Sequence, residues 1–362
     1  MKNLNKNTKI IVGLSGGVDS SVTALLLLKQ GYQVEALFMK NWEEDDKGRY
    51  CSAKQDLSDA QNITNKLSIK LHTINFSVDY WNDVFTHFLK EYKKGRTPNP
   101  DILCNQKIKF GAFLKHAISL GADKIATGHY ARIAKKNGTY QLKTGLDNNK
   151  DQSYFLHLLS QYQLSKSLFP LGETNKIDVR NIATENGFVT AKKKDSTGIC
   201  FIGERKFSEF LATYLPKQQG NIVGEQGQFI KHHQGLAFYT IGQRKGLEIG
   251  GGFGKSGKPW FVADKCIERN ELVVVQGDHT LLYYQTLNTS KPYWINTPPT
   301  LPMTCNAKIR YRQQSQSCMI SQDNNKQLKI IFKQPQRAIT PGQSIVFYDN
   351  ETCLGGAIIE YR

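Results

Sequence analysis

An apolar run over residues 10–14 leads through Ser15-Gly16-Gly17-Val18-Asp19-Ser20-Ser21 directly into an apolar helical pattern over residues 22–28. A strand, a glycine turn and a helix start in that order commit this end of the chain to an α/β unit. The two glycines let backbone N–H groups approach an oxyanion, and the hydroxyls of Ser15, Ser20 and Ser21 add donors. The helix N-terminus contributes partial positive charge. The segment therefore reads as a phosphate cradle, with a ligand-free glycine turn as the plain alternative. It is not the kinase-type loop GxxxxGK[ST], because no lysine follows Gly17.

Asp19 sits in the turn, where a carboxylate could hold a magnesium ion bridging phosphate oxygens. With it the pattern resembles the PP-loop of ATP pyrophosphatases, which cleave between the α- and β-phosphates and pass AMP to an oxygen atom. Further strand candidates at 34–39, 71–75 and 124–127 alternate with helical patterns at 55–67, 80–93 and 108–120. That alternation predicts a doubly wound, mostly parallel sheet with helices on both faces, and its ligands belong at the carboxyl ends of the strands. After about residue 203 the texture changes to a helix over 207–214, an apolar run over 222–230, a glycine-rich passage and a strand over 260–263. Short β-branched runs follow at 307–311, 318–321, 328–332 and 344–348. We expect a catalytic domain over 1–207, a small central α+β domain over 208–276 and a C-terminal all-β, barrel-like domain over 277–362. The glycine run 250–257 reads as mobile.

The formal charge of +17 points to a polyanionic partner, nucleic acid above all, and it is spread along the whole chain. A lysine-rich solvated surface would look the same. No stretch approaches the ~20 apolar residues of a membrane span, so a soluble, cytoplasmic protein without a membrane partner is expected. The 7 cysteines are odd in number and scattered, with no CxxC, unlike a disulfide framework or the usual zinc and iron–sulfur spacings. No resident metal site is expected.

Two cysteines lie in segments that suggest chemistry. Pro98-Asn99-Pro100-Asp101-Ile102-Leu103-Cys104-Asn105 reads as a proline-stiffened loop in which Asp101 stands three residues from Cys104, near enough for proton transfer at a thiol. A buried structural cysteine is the alternative. Lys192-Lys193-Lys194 precedes Asp195 and Cys200, and that positive field could lower a thiol pKa or draw RNA phosphates. An exposed basic turn beside a core cysteine fits equally. His129 could contact RNA or simply hold a loop. Arg310-Tyr311-Arg312 offers phosphate pairing and an aromatic face, although Tyr311 could also be core.

Taken in order, SGGVDSS, NWEEDD (41–46), GRTPNPDILCN (95–105), ATGHYAR (126–132), KDQSYFL (150–156), DSTGICFIGER (195–205) and YTIGQRKGL (239–247) resemble the tRNA-specific 2-thiouridylase family over nearly the whole chain. The resemblance implies an adenine nucleotide α-hydrolase-like fold and ATP-dependent 2-thiolation of the wobble uridine, position 34, of tRNA. It places Gly13, Leu14, Ser15, Gly16, Gly17, Val18, Asp19 and Ser20 on ATP, with Met39 and Gly128 flanking adenine and ribose. Asn99, Pro100 and Asp101 would face the target base. His129, Lys150, Asp151, Gln152, Arg310, Tyr311 and Gln343 would touch tRNA. Cys104 would be the nucleophile, Cys200 the persulfide carrier and Asp101 the general acid or base. Mg-ATP would be used, sulfur would come from a cysteine desulfurase or relay protein, and the substrates would be the wobble-uridine tRNAs for lysine, glutamate and glutamine. The alternatives are a PP-loop adenylating enzyme with a different acceptor and a non-catalytic RNA-binding protein with a decayed nucleotide fold.

Overall fold

The computed structural model describes residues 4–43, 52–195, 207–250 and 257–362. Strand β1, Lys9–Gly13, lies at the centre of a parallel sheet, and its Ile10, Ile11 and Val12 are fully buried, as a strand covered on both faces requires. Around it stand β2 (Gln33–Lys40), β3 (Leu71–Asn75) and β4 (Lys124–Ala126). A hairpin of β5 (Ala131–Lys136) and β6 (Thr139–Thr144) interrupts the series before the short β7 (Ser167–Leu168). The sheet order β3-β2-β1-β4-β7 puts the change of winding direction between β1 and β4, so the crevice opens at their carboxyl ends. Helices α1 (Val18–Lys29) and α2 (Ser52–Leu67) follow β1 and β2.

The central region holds a four-stranded sheet ordered β10-β11-β8-β9, built from β8 (Gly220–Val223), β9 (Phe229–His233), β10 (Trp260–Cys266) and β11 (Glu271–Gln276). The apolar run over 222–230 is thus not one strand but two, joined by Gly224–Gln228, where Gly227 has φ +78°.

In the C-terminal region β12 (Tyr283–Thr289), β16 (Leu328–Arg337), β15 (Gln316–Gln322), β14 (Met303–Lys308), β17 (Ser344–Asp349) and β18 (Thr352–Tyr361) pair in that order. A β12–β18 pairing closes them into a six-stranded antiparallel barrel. Strand β13 (Tyr293–Trp294) adds to β18. Closure leaves no edge within the ring. Inward residues such as Ile320, Ile330, Phe332, Ile345, Phe347 and Ile359 fill it. The β5–β6 hairpin of the N-terminal region docks on this barrel, with Leu142 opposite Cys353 and Lys143 opposite Thr352. Among the described residues no helix is long and apolar enough to cross a membrane.

Candidate active site

Where β1 ends, the chain turns through Ser15-Gly16-Gly17 into α1. Gly16 has φ +70°, and a Cβ there would lie 2.3 Å from the Asp56 carbonyl oxygen of α2, so glycine is required. Gly17 caps α1 from extended backbone with no side chain on the first-turn amides, which leaves those donors for a ligand. Ser20 Oγ lies 3.3 Å from Ser15 Oγ and donates to the Gly17 carbonyl at 3.1 Å. Leu14 and Val18 are buried behind the turn, while Ser15 is exposed in front of it. Met39, at the end of β2, stands beside Gly13, its Cε 3.5 Å from where a Gly13 Cβ would be. After β4, Gly128 packs against the first turn of α1, since a Cβ would meet the Asp19 carbonyl carbon at 2.9 Å and the Ser20 nitrogen at 3.0 Å.

Asp19 is not a bare carboxylate. Lys176 Nζ reaches its two oxygens at 2.7 and 2.8 Å, and the Tyr130 hydroxyl donates to Oδ1 at 2.8 Å. The same amine pairs with Asp195 at 2.8 Å, and Lys150 (2.6 Å) and Arg180 (2.8 Å) complete a cationic collar around Asp195. Burial alone would raise the Asp195 carboxyl, but hydrogen bonds from Lys150 and Lys176 outweigh it and hold it at about 2. In the lysine triplet, Lys193 turns inward, donating to the Gly16 carbonyl at 2.9 Å and pairing with Asp56 (2.7 Å) and Asp59 (2.6 Å). The positive field expected of three lysines is therefore carried by exposed Lys192 and Lys194, while Lys193 fixes the phosphate loop to α2. Lys176 and Arg180 escaped the sequence reading because no local motif surrounds them, and Tyr130 was passed over within ATGHYAR because nothing local pairs it with Asp19. Asn41, just past β2, is buried with neither amide atom hydrogen-bonded among the described residues.

The segment expected as a stiff loop over 98–105 is instead the start of a helix. Asn99 Oδ1 accepts from the Asp101 amide at 3.1 Å with Pro100 in the first helical position, a capping arrangement that two prolines disguise as a loop. The helix is α over Pro100–Leu103, π over Cys104–Ala112 and α again over Phe113–Ser119. Cys104, at its first π position, is fully buried in an apolar cluster with Ile102, Ile108 and Phe110, and half-buried Asp101 stands one turn before it. Gln163 donates to the Phe110 carbonyl at 2.7 Å and the Gln106 carbonyl at 3.2 Å, and Asn105 donates to the Phe155 carbonyl at 3.2 Å.

The residues expected on RNA divide. His129 is enclosed against Phe110 and Phe169, its Nδ1 2.7 Å from Thr127 Oγ1, and burial with Lys109 nearby holds it neutral. Asp151 is buried and paired with Lys308 at 3.0 Å, Gln152 Oε1 accepts from the Tyr130 amide at 3.0 Å, and Lys150 belongs to the Asp195 collar. Arg310 is exposed. Tyr311 lies in the turn after β14 rather than in a strand, its ring 4.4 Å from that of Phe155. Gln343 donates to the Thr97 carbonyl at 2.7 Å. Cys200 lies outside the described residues, as do most of DSTGICFIGER, the end of NWEEDD and residues 251–256. The described chain stops at Asp195 beside the phosphate loop and resumes at Phe207, whose ring packs 5.6 Å from that of Tyr92.

The family model described as tRNA methyl transferase HUP domain matches residues 8–204. The models described as tRNA methyl transferase PRC-barrel domain and aminomethyltransferase beta-barrel domain match 208–276 and 284–359. The chain is 85% identical over 362 residues, all of both chains, to a protein of Ruthia magnifica subsp. Calyptogena magnifica named tRNA-specific 2-thiouridylase MnmA. Proteins of the same name from Hydrogenovibrio crunogenus and Stutzerimonas stutzeri are 60% and 58% identical, over 99% and 98% of this chain and 95% of each of theirs.

Proposed function

Since the chain belongs to the tRNA-specific 2-thiouridylase family, we infer that it performs ATP-dependent 2-thiolation of the wobble uridine of tRNA. One observation carries this reading, the 85% identity to a 2-thiouridylase across the whole of both chains. The phosphate loop agrees with it chemically. The uridine C2 oxygen is a poor leaving group until AMP is attached to it, and attaching AMP requires that departing pyrophosphate be held. Methyl transfer, the words in the family model's description, needs no such cradle.

The Gly13–Ser20 segment would position ATP by fixed donors and dipoles, with Met39, Gly128 and the unsatisfied amide of Asn41 at the strand ends for adenosine. Asp19 would hold a magnesium ion, which would supply charge neutralisation at the phosphates of ATP, and Lys176, paired with Asp19, would offer a second cation beside them.

Adenylation joins the uridine O2 to the α-phosphorus and releases pyrophosphate. The terminal sulfur of a Cys200 persulfide, loaded by a desulfurase or relay protein, then attacks C2. The Cys104 thiol attacks the inner sulfur of Cys200, the S–S bond of the persulfide breaks, and AMP leaves. A Cys104–Cys200 disulfide remains, and an external thiol reductant must reopen it. Asp101 takes the Cys104 proton. Asn99 and Pro100 would face the base, and exposed Arg310 with half-buried Tyr311 beside it would contact tRNA.

The test is nucleoside mass spectrometry on unmodified tRNA incubated with the protein, Mg-ATP, a desulfurase and cysteine. ATP-dependent 2-thiouridine is expected, and AMP formation without it would transfer the reading to another adenylated acceptor. Cys200→Ser should bind tRNA normally and form no persulfide; thiolation persisting in that variant would remove the role given to Cys200.

A further inference from the structure

Immediately ahead of the Asn99–Cys104 helix start, the three residues Gly95, Arg96 and Thr97 are gripped by both other parts of the molecule. From the central region, Lys265 Nζ of β10 donates to the Gly95 carbonyl at 2.8 Å, and Thr240 Oγ1, in the β9–β10 connection, lies 3.3 Å from Thr97 Oγ1. From the barrel, the Pro341 carbonyl accepts the Thr97 amide at 3.0 Å and Gln343 Nε2 donates to the Thr97 carbonyl at 2.7 Å. Arg96 donates to the Ile359 carbonyl at 3.1 Å and pairs with Glu360. Gly342, at φ +93°, lets the barrel backbone close on this strap, since a Cβ there would meet the Thr97 amide nitrogen at 2.9 Å.

Two physical points decide what the grip does. Pro98 and Pro100 fix their own φ and restrict the residues before them, so a displacement of Thr97 passes to Asn99 and Asp101 rather than being absorbed. Lys265 is a poor choice for stability alone. No carboxylate pairs with it among the described residues, and burial pulls its ammonium down to about 7. An apolar side chain in that place would cost less.

We propose that Lys265 and Gln343 are positioning residues for thiolation, one from the central sheet and one from the barrel, which hold the Gly95–Thr97 strap and thereby the placement of Asp101 and Cys104. The inference rests on the thiolation reading above. It gives Gln343 an inward task, holding Thr97, distinct from the tRNA contact that the family resemblance implies.

The experiment compares wild type with Lys265→Met, Lys265→Arg and Gln343→Ala in single-turnover thiolation, in tRNA binding, and in hydrogen exchange of the 97–103 amides. Lys265→Met and Gln343→Ala should lower the thiolation rate about tenfold or more, as sub-ångström misplacement of reacting groups does. Their tRNA Kd should stay within about twofold of wild type, and exchange over 97–103 should speed up. Lys265→Arg, which keeps a donor for the Gly95 carbonyl, should recover most of the rate. An unchanged rate in both variants overturns the proposal, as does a weakened Kd at unchanged rate for Gln343→Ala, which would make it a direct RNA contact. Should a variant fail to fold, protection of the 97–103 amides in wild type decides, and rapid exchange there overturns the strap. If wild type makes no 2-thiouridine, it is the functional reading that fails, whereas the exchange result still stands or falls by itself.

Discussion

Lys176 brings to the phosphate loop the cation that its own sequence lacks. It arrives from a helix 157 positions downstream of Asp19, which is why reading the loop alone suggested only a carboxylate for magnesium. Lys176→Met removes the amine and keeps the stem, and should slow pyrophosphate release on tRNA about tenfold or more while tRNA affinity holds, since charge placed at a departing phosphate acts mainly on the rate. Full-speed release would assign Lys176 to structure only. His157 gives a second prediction. It is fully buried, its Nδ1 donates to the Tyr154 carbonyl at 2.9 Å, and burial lowers its pKa to about 4. The unfolded chain therefore binds the proton more readily than the folded one between pH 6.5 and about 4. Stability should fall as pH drops through that window, by up to about 3 kcal/mol from this group. Urea midpoints measured against pH should show the loss, and His157→Gln should flatten it; identical profiles would clear His157 of the effect.

The helix that carries Cys104 is π-wound over nine residues, Cys104–Ala112, a rare form that concentrates at functional sites. Gln163 supports it through the carbonyls of Gln106 and Phe110. Gln163→Ala should cost about 1–2 kcal/mol through unsatisfied carbonyls. It should also change the alkylation rate of Cys104, measured by mass spectrometry; an unchanged rate would mean that the π turn holds without Gln163. This element shows what the sequence displayed and what it concealed. The parallel strands and the glycine turn that leads into α1 were legible because apolar runs and glycine turns are local signals, and β3 falls on the residues its pattern marked. The helix start at Pro100 was hidden because Asn-Pro serves equally as a turn and as a cap. The π register leaves no compositional trace. The Asp19–Lys176–Asp195 chain and the strap at Thr97 were beyond reach, since each joins residues that only the assembled fold brings together.

At the scale of the whole molecule the charge of +17 should dominate association with tRNA. If about six to ten phosphates are contacted, affinity should fall roughly a thousandfold or more between 50 and 200 mM salt. A flat response in a binding titration would mean that the charge faces something other than RNA. The docking of β6 on β18 has a consequence in time. Leu142 waits for Cys353, 353 − 142 = 211 residues later, and at roughly 5–20 residues per second a ribosome needs roughly 10–40 s to deliver it. Until then the hairpin of the nucleotide-binding region has an unpaired edge, and the strap before Cys104 lacks its barrel partners. A chain released before β18 is thus a nucleotide-binding fold with its thiol helix unanchored, so synthesis of β18 is what ties the hairpin and the strap to the barrel.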